Sequence, residues 1–128
     1  MGLENQINYW LESAKHDLET ADALFQSQKY DWCLYLAHLV LEKTLKALYV
    51  KQMQVSAPKT HQLHTLALEL DLNISEIKLD FLRKVNEFNI EARYPDYKLN
   101  FYKLCTLSFC VKYLNEIKEF HQWLLKMI

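Results

Sequence analysis

The 128 residues carry 15 basic and 16 acidic side chains, a formal charge of −1 and a pI near 6.5. That balance leaves no global field to draw the chain to nucleic acid, so any such contact needs a local patch. One glycine and two prolines argue against a hairpin-rich β architecture, which needs turn residues this chain lacks, and the length suits one domain over residues 1–128 that buries roughly two-thirds of its unfolded surface.

The first helix is expected from Leu3 or Glu4 to Ser27. Ile7, Leu11, Ala14, Leu18, Ala21 and Phe25 alternate steps of four and three, and Glu12, Lys15, Glu19, Asp22 and Gln26 form the opposite, wet face. The short connection QSQKY makes the next helix antiparallel to it. That second helix, Tyr30 to about Gln52, carries one apolar stripe through Cys33, Leu36, Ala37, Val40 and Ala47 and another through Leu34, Leu41, Leu45 and Leu48. A helix apolar on two sides touches several neighbours at once, which makes it the centre of the predicted fold. His38, Glu42, Lys43 and Lys46 interrupt it; charges there would cost roughly 2.5–3.5 kcal/mol each at a bilayer centre, so no membrane span is assigned.

VSAPKT reads as a loop, with Thr60 capping a short helix HQLHTLALEL before a break at Asp71 to Asn73. Asn73 and Glu76 have capping-box spacing for a further helix whose buried stripe is Ile77, Phe81, Val85, Phe88 and Ala92. Pro95 stops that helix, because the residue before a proline is pushed out of the helical region. A last long helix is expected from about Asn100 to Met127, buried through Leu104, Leu107, Val111, Leu114, Ile117 and Leu124. The predicted fold is all-α, an up-and-down four-helix bundle with one additional short helix.

Cys33, Cys105 and Cys110 are odd in number, lie in apolar helical contexts and lack CxxC spacing; they read as reduced core thiols of a cytoplasmic protein. The start MGLENQINYW has no apolar signal core, and Gln6 stands where myristoylation of Gly2 needs Ser or Thr. No Glu-x-x-His pair of a di-iron bundle is present. His38 with Glu42 and His61 with His64 have helical spacing but no third cluster, so no metal site and no cofactor are assigned. A single glycine also rules against a backbone cradle for phosphate.

Glu91-Ala92-Arg93-Tyr94-Pro95-Asp96-Tyr97 stands apart, gathering one of only two arginines with two tyrosines at a helix end. A guanidinium grips phosphate or carboxylate through two parallel hydrogen bonds, and flanking tyrosines stack on bases. The bland alternative is a helix terminus: Arg93 against the dipole, Pro95 as a stop, Asp96 as a cap.

Four segments together resemble the HEPN family (higher eukaryotes and prokaryotes nucleotide-binding). They are the opening pattern Trp10, Ala14, Asp17, Leu18, Ala21 and Leu24; the second-helix pattern Tyr30, Leu36, Ala37, Leu41, Glu42, Lys43, Leu45, Lys46 and Ala47; Thr60-His61 with Leu63; and Ala92-Arg93-Tyr94-Pro95-Asp96. The resemblance implies a helical bundle that dimerises through long helices, encoded beside a minimal nucleotidyltransferase and often part of a toxin–antitoxin pair. Several branches are metal-independent ribonucleases with an Arg-x4–6-His motif. Here that histidine would fall at Lys98, Leu99 or Asn100 counting from Arg93, or at Phe88, Asn89 or Ile90 counting from Arg83.

With no imidazole there to move a proton, the reading is a non-catalytic binding module without catalytic residues. Arg93, Lys43, Lys46 and His61 offer positive charge, and Tyr94, Asp96 and Tyr97 complete the surface. The ligand is a nucleotide or other phosphate-bearing group, or a nucleotidyltransferase partner. The alternatives are a ribonuclease with a rearranged histidine, His61 or His121, and a purely structural homodimer whose interface uses the chain's many aromatic residues.

Overall fold

The apolar stripes on two sides of the second helix place it at the middle of the molecule. The computed structural model describes residues 1–128 as six helices and no strand: α1 (Leu3–Gln26), α2 (Tyr30–Met53), α3 (Leu63–Glu69), α4 (Glu76–Glu91), α5 (Pro95–Leu104) and α6 (Leu107–Leu125). Fourteen of the 24 residues of α2 are buried, and each of the other helices packs against it. Leu34, Leu41, Leu45 and Leu48 of α2 meet Leu82, Val85 and Phe88 of α4 and Leu114, Ile117 and Leu124 of α6 in one continuous core. No helix is long and apolar enough to cross a membrane.

α1 and α2 form an antiparallel hairpin, as the short connection requires. The turn is closed by Lys29 N–H donating to Leu24 C=O and Gln28 N–H to Phe25 C=O, with Gln28 in the left-handed region at φ 62. This pair of hydrogen bonds is the helix-ending arrangement that normally uses glycine. Of the predicted α1 seam, Ala14 and Ala21 are fully buried and Ile7, Leu11, Leu18 and Phe25 half-buried.

Three local expectations are corrected. Thr60 does not cap the short helix: its hydroxyl accepts from Gln62 N–H in a turn, and α3 starts at Leu63, whose N–H donates to Asn86 Oδ1 of α4 at 2.9 Å. Asn73 does not cap α4 either. It takes a left-handed conformation, φ 50, which asparagine tolerates, and Ser75 becomes the cap by accepting from Lys78 N–H. That start buries Leu79, Leu82, Val85 and Phe88 and leaves Ile77 82% exposed.

The third correction is that the expected last helix is two. Tyr94 is extended (φ −88, ψ 134), as a residue before proline prefers, and Pro95 then opens α5 at its first position, where its missing N–H has no partner to lose. α5 ends at Leu104, and Thr106 caps α6 by accepting from Phe109 N–H. Leu104, Leu107 and Val111, expected in the core, are exposed. Phe88 locks the three C-terminal helices together: its fully buried ring meets Phe101 of α5 at 5.5 Å and Phe109 and Tyr113 of α6 at 6.1 and 5.2 Å. Truncation to alanine would cost about 3–5 kcal/mol.

Candidate functional site

Tyr35, His38, Glu42 and Lys46 recur at helical spacing and so share one side of α2. Glu42 is buried there, and its carboxylate accepts from Lys46 Nζ at 3.1 Å through Oε2 and from His61 Nδ1 at 2.8 Å through Oε1. A carboxylate only accepts, so the His61 proton sits on Nδ1 and Nε2 is left for solvent; the side chain is 64% exposed. Lys46 is itself buried, with its ammonium 5.1 Å from the centre of the Trp10 ring of α1.

One turn back, His38 Nε2–H donates to the backbone carbonyl of His61 at 3.2 Å, holding the loop end against α2. Its other ring nitrogen is buried without a partner, and burial holds its pKa down at about 4. His38 and Glu42 thus both lie inside, as a polar seam that positions His61. No group of three or more His, Cys, Asp and Glu side chains is arranged to hold a metal ion.

Arg93 lies beyond the end of α4 and is exposed. Its Nε donates to the Asn89 carbonyl at 2.8 Å and its Nη2 to Asn89 Oδ1 at 2.9 Å. No carboxylate pairs with it. Two rings flank the guanidinium at 5.4 Å, Tyr35 of α2 and Tyr94. Lys98 of α5 extends the cationic patch, its ammonium 4.7 Å from the centre of the Trp32 ring, which in turn packs edge-on to Tyr35. Tyr94 and Tyr97 are each 51% exposed, and Asp96 is exposed in the first turn of α5.

The seven predicted site residues therefore fall into three groups. Arg93, Tyr94, Asp96 and Tyr97 lie together at the α4–α5 junction. His61 and Lys46 share Glu42, and Tyr35 and Glu42, which mark the two places, are two turns or about 10 Å apart along α2. Lys43 belongs to neither. It points to α1, with its ammonium 2.6 Å from the Asp17 carboxylate. Lys43 and Lys46 are thus neutralised by carboxylates that are themselves largely buried, which leaves Arg93 as the cation of the set that is free to bind an anion. The predicted set omits Asn89, Tyr35, Trp32 and Lys98. Asn89, on the last turn of α4 and four residues before Arg93, is visible as spacing; Tyr35 and Trp32 come from another helix and carry no local signal.

Such an arrangement can hold an anion: a guanidinium pre-oriented by two hydrogen bonds keeps part of its donor fork unused, between two ring faces. In class, this is an all-helical bundle with a buried ion-pair seam on its central helix and an unpaired arginine at a helix junction. The family model described as HEPN domain matches residues 7–128, and the chain belongs to that family. The crystal structure of TT1696 from Thermus thermophilus has the same fold, with a TM-score of 0.83 at 21% identity over 97% of this chain and 99% of that one. No curated protein matches the sequence.

Proposed function

We propose that this HEPN domain is a non-catalytic binding module that holds a phosphate-bearing ligand of the nucleotide class at the α4–α5 junction. One observation carries the reading: Arg93 is exposed, fixed by Asn89, flanked by Tyr35 and Tyr94 and matched by no acid. The guanidinium takes the phosphate in charge-assisted hydrogen bonds, and Tyr94 or Tyr97 offers a face to a base. His61, two helical turns away, reaches a second part of the ligand. Calorimetry with nucleoside mono- and triphosphates checks this: binding is expected for the wild type and a loss of about tenfold or more for Arg93→Ala. Absence of binding in both proteins sinks the nucleotide reading.

A second reading is favoured by a separate observation. Tyr94, Tyr97, Leu99, Tyr102, Leu104 and Leu107 are all about half exposed or more along α5 and the start of α6, more apolar surface than a free helix face ordinarily leaves in water. A protein surface covers it, either a second copy of the chain or a minimal nucleotidyltransferase in a toxin–antitoxin-like pair. Co-purification with such a nucleotidyltransferase tests the partner form. The ribonuclease alternative predicts metal-independent RNA cleavage that disappears in both Arg93→Ala and His61→Ala; uncut RNA removes it.

A further inference from the structure

Arg93 is not part of a second opening, where α4 and α6 are held apart by aromatic rings that leave a groove of about 610 Å³. That volume is of the size small ligands occupy. Phe81 of α4 stacks on Tyr113 and Phe120 of α6, with interplanar angles of 12° and 26°, and Phe120 meets Trp123 edge-on. Tyr113 and Trp123 are ten residues apart on one helix, so the aromatic wall runs for about 15 Å. Two carboxylates of α6, Glu116 and Glu119, also line the groove.

The charges in the groove are not arranged as the facing helices would lead one to expect. Asp80 and Lys84 of α4 are satisfied within their own helix, by Arg83 at 2.7 Å and Glu87 at 3.2 Å. Glu116 and Glu119 form no ion pair. Lys78, the remaining cation, turns onto the rings: its ammonium is 3.4 Å from the centre of Trp123 and 5.9 Å from that of Phe120. The groove thus already seats an ammonium on an aromatic face while keeping two carboxylates unmatched.

We infer that the α4–α6 groove is a binding site for an aliphatic polyamine, with the Lys78 side chain as its internal stand-in. One ammonium group of the ligand replaces that of Lys78 above Trp123, where the ring quadrupole attracts cations. A second group engages Glu116 and Glu119, and the methylenes between them lie along Phe81 and Phe120. The side chain of Lys78, at the half-buried edge of the groove, swings into water when displaced.

Titration of the isotopically labelled full chain with spermidine, followed by amide and indole N–H shifts, tests the site. Sodium chloride at matched ionic strength is the control, and the spectra report at the same time whether each variant is folded. Localised shifts at the Trp123 indole and along α4 and α6 are expected below about 10 mM ligand. Glu116→Gln with Glu119→Gln is expected to weaken binding about fivefold, and Lys78→Ala to tighten it about two- to fivefold. Arg93→Ala leaves it unchanged, which separates this site from the anion site. Shifts no different from those with sodium chloride, or an unaltered response in the double Glu variant, overturn the proposal. Weaker binding in Lys78→Ala overturns the stand-in role.

Discussion

Glu42 is the residue on which the polar seam of α2 depends. Its side chain is 5% exposed and that of Lys46 7%, so each charge tolerates burial only because the other is there. Glu42→Gln keeps the shape and leaves Lys46 buried without a counter-charge, and the expected loss is about 3 kcal/mol in urea unfolding. Adding Lys46→Met removes the orphan charge and is expected to recover most of that loss; a double variant no more stable than the single one would show that the pair is not the cause. His38 gives the seam a pH signature. Burial lowers its pKa from the ordinary 6.5 to about 4, so below pH 6.5 the unfolded chain takes up a proton that the folded chain refuses. Its contribution to stability is therefore complete above pH 6.5 and falls away as pH drops toward 4, by about 2 kcal/mol between pH 7 and pH 5. His121, also lowered by burial, adds to the slope in the same direction. Comparing wild type with His38→Gln at both pH values isolates the His38 share, and equal slopes would refute its assignment.

At the scale of elements, the helices with an unbroken apolar period were legible and their junctions were not. α1 and α2 follow directly from spacing, because no glycine or proline breaks either helix and the apolar stripes run their full length. The break at Cys105 and Thr106 was not legible: no glycine or proline marks it, and Leu104, Leu107 and Val111 continue a helical period into solvent. Only the threonine cap was there to be noticed. Pro95 reads in the sequence as a stop alone, although the same ring geometry that ends α4 is the one that opens α5. A chain with a single glycine must also close its turns with residues that dislike them. Gln28 and Gln54 both end helices at positive φ, a conformation that costs about 1–2 kcal/mol for a residue with a Cβ. Gln28→Gly removes that strain, partly offset by the freedom glycine brings to the unfolded chain. The expected net gain is about 0.5–1 kcal/mol, seen as a higher melting temperature, and a lower one would mean that the Gln28 side chain contributes contacts the backbone geometry does not reveal.

The same limit governs the candidate site when the whole molecule is considered. The ARYPD segment could be singled out from its composition, but not the fact that Glu42 and Asp17 silence Lys46 and Lys43, since those pairings are made by packing. What the net charge of −1 does indicate is a surface without strong self-repulsion, on which an apolar strip can bring chains together. Leu99, Tyr102, Leu104 and Leu107 lie 47–62% exposed along that strip, while the core beneath is closed by Phe88 and Phe101. Substitution of the strip should therefore alter association without unfolding the protein. If a second copy covers it, light scattering of the wild type gives a dimer, and Leu104→Glu with Leu107→Glu gives a monomer whose melting temperature at low concentration is within a few degrees of the wild type. A monomeric wild type would exclude self-association through this face.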